Sequence, residues 1–209
     1  MGTALLALLA YLLGSIPFAV IVSRAFGLPD PRSYGSGNPG ATNVLRSGRK
    51  AAAALTFLGD ALKGWLAVFV AQRLAAGEAV DIAVSAAAVA VTFGHMYPVF
   101  LRFRGGKGVS TATGVLVALD PWLAAGAVAT WLIIAFFFRY SSLAALVAAA
   151  SAPFFALFLY GMGRFALEGA IGVMLIAMLI AWRHQANIRN LLAGTEGRIG
   201  GGGSGTPPS

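Results

Sequence analysis

Gly108-Val-Ser-Thr-Ala-Thr-Gly-Val-Leu-Val-Ala-Leu-Asp120-Pro121 is the stretch on which the architecture turns. As a helix, 108–119 covers only ~18 Å, whereas a membrane's hydrocarbon core is ~30 Å thick. Either the segment is a short helix ending at Asp120-Pro121, or it fuses with the charge-free run 121–138 that follows. A residue before proline avoids the α region, which favours a break at Asp120.

On both sides of it the chain is apolar. The 209 residues are 58% hydrophobic and 11% charged, where a soluble domain carries roughly a quarter charged residues. A water-soluble globule is excluded, and so is disorder, which needs low hydrophobicity and high charge. Spans are read at 3–23, 52–72, 82–101, 121–138, 140–163 and 165–182. The first is too long for the apolar core of a signal peptide and reads as a retained span. Asp60 and Lys63 interrupt the second and are expected to pair within it, either as a structural pair or as a pair that positions a ligand.

Charge decides the count. With seven helices and the N-terminus outside, Arg24, Arg32, Arg46, Arg49, Lys50, Arg102, Arg104, Lys107, Arg139, Arg183, Arg189 and Arg198 face the cytoplasm, and only Arg73 and Arg164 lie outside. With six helices, Arg139, Arg183, Arg189 and Arg198 move outside and Arg164 inside. Cytoplasmic loops collect Lys and Arg, so seven is favoured. The expectation is an all-α integral membrane protein: a compact bundle of seven transmembrane helices, one of them short, N-terminus outside and C-terminus cytoplasmic. Residues 1–198 form its one domain, and 199–209 a flexible Gly/Ser/Pro-rich tail. The same rule accounts for the net charge of +8 without nucleic acid.

Four polar segments fall on the cytoplasmic side. The first, Gly35-Ser-Gly-Asn-Pro-Gly-Ala-Thr-Asn-Val-Leu-Arg46, imitates a dinucleotide fingerprint but lacks the preceding strand. It reads as a Gly-rich turn with Ser36, Asn38, Thr42 and Asn43 near a ligand and Arg46 as an anion partner, or as an ordinary loop with Arg46 at lipid headgroups. The second, Arg102-Phe-Arg-Gly-Gly-Lys-Gly-Val-Ser-Thr111, is no Walker A motif. Its glycines nevertheless let backbone amides curl around an oxyanion beside Lys107, at the start of a helix. The third, Arg139-Tyr-Ser-Ser142, offers serines that also suit a helix cap. The fourth, Arg183-His-Gln-Ala-Asn-Ile-Arg189, puts His184 and Asn187 on one helix face. His184 is read as a base, an anion donor or a headgroup contact, and His95 as structural.

Acidic residues are nearly absent from that face, so the site suits anions and holds no metal. With no cysteine, thiol chemistry is excluded. No acidic residue is an obvious orienter for His184, so a Ser-His-Asp triad is incomplete. The H-x-x-x-x-D pattern fails at both histidines, because Phe100 and Arg189 stand where Asp is required. Direct transfer to a bound hydroxyl, driven by positioning and electrostatics, fits better than a covalent enzyme intermediate.

GSGNPGATNVLR (35–46), GHMYPVFLRFRGGKGVST (94–111), RYSSL (139–143) and HQANIRNLL (184–192) resemble, in order, the motif regions of the bacterial acyl-phosphate:glycerol-3-phosphate acyltransferases, the PlsY family. The resemblance runs from Thr3 to about Arg198. It implies transfer of a fatty acyl group from acyl phosphate to the 1-hydroxyl of sn-glycerol 3-phosphate, giving lysophosphatidate and phosphate, the first step of phospholipid synthesis. It implies that Ser36, Asn38, Asn43, Arg46 and Asn187 hold glycerol 3-phosphate. Gly105, Gly106, Lys107, Gly108 and Thr111 would hold the acyl-phosphate head, with Ser142, His184 and Lys107 at the reacting groups. No cofactor is expected, and no partner beyond these small-molecule substrates and the bilayer. The protein would be a monomer in the bacterial inner membrane with a cytoplasmic active site. Arg104 departs from the family in standing where a lysine is common, and Ser141 leaves the serine pair ambiguous. The rival reading is a small transporter of phosphate esters or anions.

Overall fold

A computed structural model describes residues 1–77 and 80–200. Those residues form ten α-helices and no strand: α1 (Thr3–Gly14), α2 (Phe18–Ala25), α3 (Ala41–Leu45), α4 (Lys50–Leu74), α5 (Val80–Met96), α6 (Val109–Leu119), α7 (Pro121–Phe138), α8 (Ser141–Gly161), α9 (Leu167–Arg183) and α10 (Gln185–Leu192). A 3-10 turn, Val99–Leu101, follows α5. Five helical stretches are long and apolar enough to cross a membrane, and α9 with α10, bent by 60°, makes a sixth if counted as one span.

The deciding stretch is a separate helix. α6 has 11 residues and stops at Asp120, whose extended backbone (φ −158°) ends the helix before Pro121. The Asp120 carboxylate then caps α7, accepting from the Trp122 and Leu123 amides at 2.7 and 3.0 Å. The first span differs from its unbroken reading. It splits into α1 and α2 at Ser15-Ile16-Pro17, where proline cannot donate the next helical hydrogen bond. Ile199, expected to open the free tail, is tied to the α7–α8 turn: its amide donates 2.6 Å to the Arg139 carbonyl, and Arg139 Nη2 donates 3.0 Å to the Ile199 carbonyl. The rest of the expected tail, 201–209, lies outside the described residues.

The core is built from alanine and valine, with larger side chains outside. Ala87, Val91, Val68 and Val115 are buried, while Phe136, Phe137, Phe154 and Trp122 stand at least 70% exposed. An apolar exterior around a small-residue interior is what lipid demands, since helix association there relies on close backbone approach. Glycines provide that approach in two seams. A methyl at Gly14 would strike the Val91 carbonyl, and one at Gly94 the Tyr11 carbonyl, so α1 and α5 lie backbone to backbone. Gly64 meets the Thr111 carbonyl and Gly114 the Ala61 carbonyl in the same way, locking α6 to α4. These seams fix the start of α6 and the end of α5, between which the Gly-rich loop 105–108 hangs.

Candidate active site

The four polar segments meet at one end of the bundle. The loop 105–108 is held from two sides. The Gly105 and Gly106 amides donate to the Met96 and His95 carbonyls at 3.2 and 3.1 Å. Their own carbonyls accept from Arg183, Nη2 to Gly105 at 2.9 Å and Nε to Gly106 at 3.2 Å. Arg183 in turn lies 5.1 Å from the Tyr97 ring centre. Gly108 takes φ +85° to turn into α6, a conformation that glycine adopts without strain. Lys107 projects from this frame and donates 2.5 Å to Asn187 Oδ1 on α10.

Asn187 links the loop to the third segment. Its Nδ2 donates 2.7 Å to Glu196 Oε1, and the same oxygen accepts from the Ser142 hydroxyl at the start of α8. Lys107, Asn187, Glu196 and Ser142 are therefore one connected chain of hydrogen bonds. Ser142 has a single proton and spends it on Glu196, so its oxygen is left as an acceptor. The other serine of the pair, Ser141, shares a 3.2 Å hydrogen bond with Thr42.

His184 sits at the bend beyond α9, 2% exposed. Its Nδ1 lies 2.8 Å from the Ile180 carbonyl. A carbonyl only accepts, so Nδ1 carries the proton and Nε2 is bare. Burial is the main reason that its pKa falls to about 4, with the Lys107 and Arg183 charges adding to it against the Ile180 bond and Glu196. Lys107 is also lowered, chiefly by burial and further by Arg183 and Arg46, while Glu196 works in the opposite direction.

In the first segment, Asn43 is 2% exposed and fully committed. Its Nδ2 donates to the Pro31 and Tyr34 carbonyls at 2.6 and 3.1 Å, and its Oδ1 accepts from the Ser36 amide at 2.9 Å and hydroxyl at 3.3 Å. Asn43 thus shapes the loop that presents Ser36. Asn38 is half-buried beside Gly40. Arg46 is exposed and makes no ion pair among the described residues. Its guanidinium lies close to Gly197, beside the Glu196 segment. Thr111 packs under α4 at Gly64, fully buried, with its hydroxyl unpartnered among the described residues.

The face is poor in acid, as expected, but its one carboxylate in this network, Glu196, was not singled out from the sequence. It follows α10 in Gly194-Thr-Glu-Gly197, where no periodicity places it, and reaches Ser142 across 54 residues of chain. Arg183 was legible only as a cation, because its role depends on the carbonyl directions of 105–106. No group of three or more metal-ligating side chains occurs among the described residues.

Residues 4–194 match the family model described as glycerol-3-phosphate acyltransferase. The chain belongs to that family. It is 61% identical over 200 residues to the glycerol-3-phosphate acyltransferase of Ralstonia nicotianae, covering 95% of each chain. It is 62% identical over 200 residues to that of Bordetella petrii, covering 95% of this chain and 93% of the relative. Crystal structures of PlsY, an integral membrane glycerol 3-phosphate acyltransferase, superpose with TM-scores of 0.85 and 0.84 at 40% and 39% identity. The first is the glycerol 3-phosphate form, covering 95% of this chain and 96% of that one, and the second the lysophosphatidic acid form, covering 95% of each. The acyltransferase fold therefore extends over nearly the whole chain.

Proposed function

We propose that this chain transfers a fatty acyl group from acyl phosphate to the 1-hydroxyl of sn-glycerol 3-phosphate, releasing lysophosphatidate and phosphate as the opening step of phospholipid synthesis. The observation that carries the reading is the hydrogen-bonded chain from Lys107 through Asn187 to Glu196 and Ser142, which joins three distant segments into one cation-rich site. Family membership and the glycerol 3-phosphate form of PlsY support the acceptor.

In this reading residues 1–198 are one membrane domain with seven crossings, α6 being the short one. The N-terminus is outside and the site faces the cytoplasm of the bacterial inner membrane, with the protein acting as a monomer. The cation distribution supports that orientation. Arg46, Ser36 and Asn38 hold the glycerol phosphate, with Asn43 keeping their loop in shape and Asn187 at the boundary between the two substrates. Lys107 and Gly108 receive the donor's phosphate at the start of α6, while Gly105 and Gly106, whose amides are spent on the Met96 and His95 carbonyls and not on an oxyanion, hold the loop in shape, and Thr111 secures that helix against α4.

The hydroxyl oxygen attacks the acyl carbonyl carbon. A carbon–oxygen ester bond forms and the carbon–oxygen bond to phosphate breaks. The departing phosphate, with a second pKa near ~6, takes the hydroxyl proton. A His184 imidazole at about 4 is a weak base, so it does not keep the proton; a hydroxyl donates a single hydrogen bond, and one acceptor, bare Nε2 or the Ser142 oxygen, holds it until the phosphate takes the proton. No enzyme ester is required, because phosphate is a good leaving group and Lys107 offsets its growing charge.

Purified protein given palmitoyl phosphate and glycerol 3-phosphate is expected to release phosphate and lysophosphatidate together, with no acyl-CoA or added metal. Glycerol 3-phosphate flux into liposomes without product would instead establish the transporter.

A further inference from the structure

Beneath the loop 105–108, outside the residues assigned above, lies a buried ionic cluster. Asp60 and Lys63 of α4 and His95 of α5 are 2%, 2% and 8% exposed at their side chains. Lys63 Nζ is 2.7 Å from Asp60 Oδ1, and His95 Nδ1 is 3.3 Å from the same oxygen. Lys63 Nζ also donates 2.8 Å to the Ile16 carbonyl, at the break between α1 and α2. Charges within a span are costly, and a buried ion pair seldom adds stability over an apolar pair of equal size. The cluster therefore calls for a reason other than holding the bundle together.

The loop supplies one. The His95 carbonyl accepts the Gly106 amide at 3.1 Å. A methyl at Gly106 would collide with His95 Nε2, and one at Gly105 with the His95 carbonyl. The His95 residue thus touches the loop through both backbone and ring. A carboxylate beside Nδ1 favours the proton there and leaves Nε2 facing the loop. Asp60, Lys63, His95, Gly105 and Gly106 line one small cavity, which places cluster and loop in direct continuity.

We propose that Asp60 and His95 are positioning residues that set the conformation of the 105–108 loop from inside the bundle, Asp60 orienting the His95 ring against Gly106 and Lys63 serving only to neutralise the buried carboxylate. This rests on the reading of that loop as a substrate-phosphate site.

Two neutral double variants separate orientation from charge. D60N/K63M keeps an oxygen acceptor for His95 Nδ1–H, whereas D60L/K63M removes it. His95→Asn is the second arm: it retains a donor toward Asp60 and withdraws the ring from Gly106. KM for palmitoyl phosphate and for glycerol 3-phosphate is measured separately on protein that elutes as a single folded species in detergent, with Lys107→Ala as reference. The expected result for D60L/K63M and His95→Asn is a tenfold or larger rise in one KM, that of the substrate which Lys107→Ala also weakens. The other KM stays within about twofold, and D60N/K63M stays near wild type. Unchanged KM for both substrates in D60L/K63M and His95→Asn, or equal rises in both, overturns the proposal. Which substrate Lys107→Ala weakens tests the donor assignment on its own.

Discussion

At the residue scale the site is a balance of three cations against one carboxylate, and each side can be tested. Lys107→Ala and Arg46→Ala each remove a charge-assisted contact to a phosphate. Losses of about 2–4 kcal/mol of transition-state stabilisation, roughly 30- to 1000-fold in kcat/KM, are expected in steady-state assays; wild-type rates in both would reduce these cations to headgroup contacts. Glu196→Ala leaves the Ser142 and Asn187 donors unpaired, and at least a tenfold loss is expected. Glu196→Gln, which retains an oxygen acceptor, should recover part of it. His184 makes a pH prediction. Its ordinary value is 6.5 and its folded value about 4. Between these the unfolded chain takes up a proton that the folded one refuses, so acidification through that window favours unfolding. The stability from the neutral ring is whole above pH 6.5 and fades toward pH 4. Melting of His184→Asn in detergent should thus fall less between pH 7 and 5 than melting of wild type, and an equal fall would refute the lowered pKa. The convergence of Lys107, Asn187, Ser142 and His184 could be read from the sequence, because each sits in a Gly-rich or polar interruption of an apolar run. Glu196 could not, since only the folded chain brings it back to Ser142.

At the element scale, the helices follow from apolar length and their ends from caps. The reading of 108–119 as a short helix before Asp120-Pro121 matches α6, and the span at 52–72 matches α4 to within two residues at each end. Pro17 was visible too, yet a proline inside an apolar run can kink a helix or merely sit in it, as Pro153 sits in α8. At the break the Ile16 carbonyl accepts from Lys63, a contact that sequence spacing does not reveal. The short α3 was likewise legible only as loop, and α10 as a helix face bearing His184 and Asn187 but without the bend that precedes it. Two element-level outcomes are expected. Asp120→Ala removes the α7 cap and should cost ~1 kcal/mol of stability with both KM values unchanged. Gly114→Ala forces α6 off the Ala61 carbonyl and should cost about 1–3 kcal/mol, read as a lower melting temperature in detergent. Because α6 carries Lys107 at its approach, Gly114→Ala should also lower turnover, and a stable, fully active variant would show that the α4–α6 seam does not set the loop.

At the scale of the whole molecule, an apolar exterior and a small-residue interior send the polar residues, the buried Asp60–Lys63–His95 cluster apart, to the end of the bundle where the Gly-rich loops lie. The central claim is that all four segments occupy the same, cytoplasmic side of the membrane. The chain has no cysteine, so single cysteines introduced at Ser33, Arg104 and Arg189 report the first, second and fourth segments, the third being tied to them through Ser142 and Glu196, and one at Arg164 reports the opposite side. Labelling with a membrane-impermeant maleimide in vesicles of known orientation measures sidedness directly. The account predicts that Ser33→Cys, Arg104→Cys and Arg189→Cys react only from the cytoplasmic side and Arg164→Cys only from the outside. Reaction of the Arg104 and Arg189 variants from opposite sides would contradict it.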